Sequence, residues 1–357
     1  MQRDMLFGLY APSPHITVGS KEITRSVKGA LSPLPDGEID PAFTLAKDVL
    51  GAADAAGFDL CLYAERHLGA DFEAWMLAAA ISSWTRNIRA MPAVHPGLWH
   101  PTLIAKMASC LDRLTTGRMA INVVTGWNEV EARMYGGDIL LHEEDRYIRA
   151  EEFIRVLRGM WSETPFSLDG QFYQVTASQL LLKPATSSLP EIFTASRSER
   201  GLEMVAKYAD WWFLDYDKSA ADVAGVEDSL RRAIDGMSKR AAKYGRKVRY
   251  AFNPFVAFGA SHEAAVERAK RLLTPEEPDA DLRKMMSRVG PAMKSGCIGR
   301  PDKVREQLMR YADMGIELFL LKFVPTVDEV HAIRDEIIAP LRPTAPRVAK
   351  TKDAVTA

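Results

Sequence analysis

The chain has 357 residues, of which 47% are hydrophobic, 26% charged and 9% aromatic, an ordinary globular balance in a chain long enough to bury a large core. Its 46 Lys and Arg against 47 Asp and Glu leave a net charge of −1, which provides no basic field for a nucleic-acid backbone and excludes that class of partner. No apolar run approaches the ~20 residues of a bilayer span, no secretory leader pattern follows Met1, and Cys61, Cys110 and Cys297 are scattered, so a reduced, cytoplasmic protein without membrane association is expected.

Strand-like and helix-like stretches alternate along the chain. A strand over Met5–Tyr10 precedes a helix over Phe43–Ala56, and a strand over Asp59–Ala64 precedes a helix over Ala74–Thr85. The pattern continues with Ile88–Val94 and Thr102–Leu114, Met119–Val124 and Arg146–Trp161, Glu191–Ala195 and Ser198–Tyr208, then Asp210–Leu214 and Ala221–Tyr244. The last repeats are Val248–Phe258 with helices His262–Leu272 and Asp302–Met314, and Ile316–Phe323 with Val327–Leu341. Several strands are near-continuous apolar runs, as parallel strands buried on both faces should be. Many helices stop at a glycine that leads into the next strand, as at Ala56-Gly57 and Met314-Gly315. Eight strand–helix repeats predict an α/β fold, a single (β/α)8 TIM barrel over 1–341, with a flexible tail at 342–357. Segments 11–41, 125–145, 162–188 and 273–299 do not fit the repeat and are expected as insertions. A dinucleotide-binding open sheet is disfavoured, because no Gly-x-Gly-x-x-Gly follows any strand.

The residues able to carry chemistry cluster after the strands. Asn122 lies inside an apolar strand, where an unpaired amide is costly. Either neighbouring backbone satisfies it or it points along the barrel axis at a polar heterocycle. Asp145 is placed to cap a helix whose first turn carries Arg146 and Tyr147, a pair that suits an anion at a helix start or is a solvated charged turn. The turn Thr194-Ala-Ser-Arg-Ser198 repeats that logic, with Ser196 and Ser198 as caps or as phosphate ligands. Glu65, Arg66 and His67 follow the second strand, His95 follows the third and His142 lies in the long fourth insertion. No spacing unites these histidines as metal ligands, and no Gly-x-Ser-x-Gly elbow is present. Trp211-Trp212 is read as core.

Taken together, Leu111–Trp127, His142–Phe153 with Leu157–Trp161, Pro190–Phe213 and the hairpin-like Asp169–Tyr173 resemble the luciferase-like flavin-dependent monooxygenases. The likeness runs from about Ala42 to Leu341 and is nearest to the dimethyl sulfone, alkanesulfonate and pyrimidine monooxygenases. It implies an FMN-binding barrel assembled as a homodimer or homotetramer. It also implies that Asn122 and Glu131 contact the flavin ring or ribityl chain, and that Arg146 and Tyr147 hold the ribityl-phosphate region. Ser198 would bind the phosphate, within an Ala195-Ser196-Arg197-Ser198 loop where many relatives have Gly-Gly-Ser-Ser, and Glu65 and Arg66 would meet the isoalloxazine.

On the substrate side, Asn253 and Phe255 stand where the alkanesulfonate enzymes have an Arg and a His. A sulfonate would then need its cation from Arg197, Arg288 or Lys294. Trp99, Trp127 and Phe255 are expected as dry walls, Asn122 and Thr125 as polarising groups, and one of His67, His95 and His142 as the proton-transfer group. The implied activity is that of a two-component monooxygenase. A separate NAD(P)H-dependent flavin reductase supplies reduced FMN, and O2 reacts through a flavin peroxide to oxygenate a small organosulfur compound with C–S cleavage. Ring opening of an amide or nitrogen heterocycle, or non-catalytic flavin binding, are the alternatives.

Overall fold

The computed structural model describes residues 5–12, 33–65, 71–125, 143–273 and 293–342. Its centre is a closed barrel of eight parallel strands. These are β1 (Leu6–Tyr10), β2 (Leu60–Tyr63), β3 (Arg89–Val94), β4 (Ala120–Val123), β7 (Glu191–Thr194), β8 (Trp211–Leu214), β9 (Arg249–Phe252) and β12 (Ile316–Leu321). They run in that order around the ring, with β12 pairing back onto β1, so β1 lies opposite β7. The eight predicted strands are these eight, each within a residue or two at its ends except the seventh.

The side-chain period of two divides the apolar residues into two cores. Leu60, Leu62, Met91, Phe193, Trp211 and Phe213 point inward with their neighbours to fill the barrel, and Phe193 and Trp211 stack at 5.0 Å. The alternate residues Cys61, Tyr63, Ile121, Trp212, Leu214 and Phe319 face outward into the larger core under the helices. Gly8 stands between inward Leu6 and Tyr10 because an ideal Cβ there would lie 2.9 Å from Leu320 Cδ1 and 3.0 Å from the Leu60 carbonyl. The N-terminal end of the barrel is closed by charge. Glu191 accepts from Arg89 Nη2 at 2.6 Å and from Arg249 Nη1 at 3.2 Å. Arg249 also donates to Glu317 at 3.0 Å and lies over the Trp211 ring.

The outer layer contains α1 (Pro41–Ala56), α2 (Ala74–Ser82), α3 (Pro101–Leu114), α4 (Glu143–Ser162), α5 (Glu199–Tyr208), α6 (Val223–Ala242), α7 (His262–Leu273), α8 (Pro301–Asp313) and α9 (Val327–Ile333). The last continues through a wider π turn at Arg334–Ile338 to Leu341. Local chemistry sets their ends. Asp40 caps α1 ahead of Pro41, and Asp222 and Thr326 cap α6 and α9. No helix among the described residues is long and apolar enough to cross a membrane.

Three features differ from the sequence reading. The predicted strand Val248–Phe258 is two strands: β9 ends at Phe252, Pro254 cannot donate to a ladder, and β10 (Ala257–Phe258) pairs instead with β11 (Ile298–Gly299) outside the barrel. Helix α4 starts at Glu143, so Asp145 lies inside its first turn rather than capping it; acidic Glu144 and Asp145 there suit the positive end of the helix dipole. Finally, α2 stops at Ser82 instead of Thr85.

Of the segments expected as insertions, 162–188 holds a small antiparallel hairpin, β5 (Phe166–Asp169) and β6 (Gln174–Ser178), whose turn is the Gly170–Tyr173 stretch. Most of 11–41, 125–145 and 273–299, and the tail beyond Arg342, lie outside the described residues.

Candidate active site at the barrel mouth

At the C-terminal end of the barrel strands lies a cavity of about 420 Å³. Its floor is the top layer of inward side chains, Leu62, Asn122 and Phe213, and its rim is built from the residues just past β4, β7, β8 and β9. This is the end at which barrel enzymes carry their chemistry.

Asn122 is buried on that floor. Its main chain is in the ladder between β3 and β7, yet among the described residues no hydrogen bond engages its amide. Asn122 lines the cavity, and no described backbone group takes its amide. Thr125 lines the same cavity, half-buried.

The β7 side of the mouth is built around the start of α5. Ser198 caps the helix, its Oγ accepting from the Gly201 N–H at 3.3 Å, which leaves the hydroxyl hydrogen for another acceptor. Tyr147, from the second turn of α4, brings its hydroxyl to 3.0 Å from Ser196 Oγ. An ideal Cβ on Gly201 would lie 1.8 Å from Ser196 Oγ and 2.6 Å from Tyr147 Cε1, so only glycine leaves room for this cradle of hydroxyls beside a helix N-terminus. Arg146 stands half-buried in the same part of α4. Arg197, exposed on the rim, is ion-paired with Asp215, which also accepts from Lys218 at 2.6 Å.

The opposite side is formed by β9 and β1. Asn253 Nδ2 donates to the Tyr10 hydroxyl at 3.2 Å, and both line the cavity. Burial pushes the Tyr10 phenol up to about 12, against a smaller downward pull from Asn253. Tyr10 was not among the sequence candidates. Its signal was the alternation in Leu6-Phe-Gly-Leu-Tyr10, which puts the last residue of β1 inward at the mouth.

Other candidates are placed differently. Glu65 is buried just past β2, but its Oε2 accepts from the Ala74 N–H at 2.8 Å and so helps start α2 rather than line the cavity. Burial, with Glu73 and Asp71 nearby, raises its carboxyl to about 7 despite the Ala74 bond. Trp99 packs half-buried against the outer core, and Phe255, which bridges Lys322 just past β12, packs on a small cluster with Ala257 and Ile298; neither lines the cavity. His95 is buried at the end of β3. Arg66, His67, Trp127, Glu131, His142 and Arg288 lie outside the described residues.

A closed parallel barrel with a cavity at the C-terminal end of its strands, lined by a buried amide and by a hydroxyl beside a helix start, has the architecture of a barrel enzyme. The chain matches the family model of the luciferase-like monooxygenases over residues 23–318, and it belongs to that family. It is 29% identical over 319 residues to an FMNH(2)-dependent dimethylsulfone monooxygenase of Pseudomonas fluorescens, covering 81% of this chain and 85% of the relative. Among solved structures it resembles the long-chain alkane monooxygenase LadA (TM-score 0.74, 18% identity, 96% of this chain and 92% of the other). It also resembles DmoA from Hyphomicrobium sulfonivorans (TM-score 0.72, 19% identity, 95% and 88%). At these identities the two structures speak for the fold alone.

Proposed function

We propose that the chain is the oxygenase of a two-component system. It takes reduced FMN from a separate NAD(P)H-dependent flavin reductase and uses O2 to oxygenate a small organosulfur compound with C–S cleavage. The observation that carries the reading is that Asn122 and Ser196 line one cavity, Ser196 being the hydroxyl that meets Tyr147 over Gly201. A flavin mononucleotide has both features to match: a heterocycle edge of carbonyls and ring nitrogens, and a phosphate that a helix start and hydroxyls can hold. The 29% identity to a protein named for FMNH(2) and dimethylsulfone supports the same cofactor and substrate class.

When bound, reduced FMN supplies the electrons that activate O2. The remaining tasks fall to the chain. Ser196, Ser198, Tyr147 and Arg146 hold the phosphate end, and Asn122 fixes the ring by its amide. Leu62 and Phe213 keep the floor dry, which strengthens the polar contacts made there. Thr125 offers a hydroxyl on the cavity wall, and the proton-transfer group is one of His67, His95 and His142, of which His95 is buried just past β3.

The amides at Asn122 and Asn253 also suit a nitrogen heterocycle, so ring opening of a cyclic amide is the second reading. The test combines the protein with FMN, a flavin reductase, NADH and O2. Product formed from dimethyl sulfone, with NADH consumed in step and little hydrogen peroxide released, is the expected result. Product from uracil alone favours the second reading, and flavin binding with no substrate-dependent oxygen uptake contradicts both.

A further inference from the structure

The β9–β1 side of the mouth is chemically unlike the β7 side. Among the described residues lining the cavity, only Arg197 and Asp215 carry charge, and they are paired with each other on the β7–β8 side. On the wall opposite, the described residues are Tyr10, Leu62 and Asn253, none of them ionised. Lys322 approaches from β12, but it stands over the Tyr10 ring, its Nζ 5.8 Å from the centroid, and does not line the cavity.

We infer that Tyr10 and Asn253 are the specificity-determining pair for substrate, donating two hydrogen bonds to an uncharged, strongly accepting oxygen of sulfonyl or carbonyl type. Hydrogen-bond counting supports this. With the Asn253 amide donating to the phenol oxygen, the pair keeps the phenol O–H and the second amide N–H as unused donors. With the amide turned over, Tyr10 donates to Asn253 and both amide N–H groups remain, so either orientation leaves two donors. Burial keeps the phenol a neutral donor throughout the working range of pH, and a cation over the ring face draws charge from it. Among the described residues of this wall an anion would meet Leu62, Tyr10 and Asn253 and no charged partner, which is unfavourable.

This inference rests on the proposed oxygenase reading for its placing of flavin at the β7 side, but its test does not need turnover. Calorimetric titrations with dimethyl sulfone, uracil and methanesulfonate are run on the full chain, with and without FMN, for wild type, Tyr10→Phe and Asn253→Ala. Dimethyl sulfone or uracil should bind more tightly than methanesulfonate. Each substitution should weaken the better neutral probe by about fivefold to tenfold, while methanesulfonate is affected little and FMN still binds. Which neutral probe wins decides between the sulfonyl and the carbonyl source. Tighter binding of methanesulfonate, equal binding of the neutral probe to all three proteins, or binding of none of the probes would overturn it. A chain that binds no FMN, yet loses neutral-probe affinity on Tyr10→Phe, would refute the flavin reading and leave this one standing.

Discussion

The hydroxyls of Tyr147 and Ser196, 49 residues apart in the chain, meet at 3.0 Å over the bare Cα of Gly201. One comes from the long helix after β4 and the other from the turn after β7, so the cradle exists only once the barrel has brought those strands side by side.

That arrangement makes the phosphate end testable by substitution. Ser198→Ala and Arg146→Ala should each weaken FMN by about 1–3 kcal/mol through lost bonds to a charged group. Gly201→Ala should do at least as much, because its methyl displaces both hydroxyls. Ser198→Ala should also lower stability by about 0.5–2 kcal/mol as a lost helix cap. Flavin fluorescence titrations and thermal melts separate the two effects.

Glu65 predicts a pH dependence. Its carboxyl is raised from an ordinary 4.5 to about 7, first by burial and then by Glu73 and Asp71. The folded state therefore holds an extra proton between those values. The associated stability is complete below the ordinary value and is lost as pH rises through about 7. Melting curves should show about 1–3 kcal/mol of decline between pH 5 and 8 from this group. Glu65→Gln, which keeps an acceptor for the Ala74 N–H, should flatten the decline; an equally steep slope in the variant would refute the assignment.

Glu191 has the opposite sign. Burial disfavours its charge, but Arg89 and Arg249 outweigh that and hold the carboxyl below its usual range. Its contribution is present above the ordinary carboxylate range and is lost as pH falls through the lower folded value. Glu191→Gln should cost about 1–3 kcal/mol at neutral pH, and much less in acid. FMN affinity should not change, because this cluster closes the far end of the barrel from the mouth. Denaturant melts at two pH values check it.

How much of this the sequence discloses depends on the distance over which each feature is built. The eight barrel strands are legible because each carries its own apolar run and stop signal; Ala120–Val123 and Ile316–Leu321 need no partner to be recognised. The seventh strand misleads, since apolar residues continue past Pro254 while the ladder shrinks to the single bridge Phe255–Lys322 and Ala257–Phe258 pair with β11. At the mouth, Asn122 stands out as an amide in an apolar strand, but whether anything satisfies it depends on the neighbouring strands. Tyr10 is only the end of a strand in the sequence, and its partner Asn253 lies 243 residues further on. Glu65 looks like a site residue by its position after β2, and only the fold reveals that a helix start takes one of its oxygens.

Glu152 illustrates the same long-range construction and gives a further prediction. It is buried on α4, and its two oxygens accept the N–H groups of Gln171, Phe172 and Tyr173 at 2.7, 2.8 and 3.0 Å. Tyr173 in turn accepts from the Gly97 N–H at 3.2 Å, tying the hairpin to the loop that follows β3 and His95. Glu152→Ala should destabilise the fold by about 2–4 kcal/mol, because three donors lose one charged acceptor. Limited proteolysis should then cut first at residues 170–173, where the turn is released.

Everything proposed for the mouth of this barrel depends on its holding a reduced flavin mononucleotide by the phosphate. An anaerobic calorimetric titration of the chain with photoreduced FMN, repeated with the oxidised form and with Ser198→Ala, measures it directly. The reduced flavin should bind saturably at one site per chain, more weakly in the variant. No heat with either redox form, or equal affinity in wild type and variant, would contradict it.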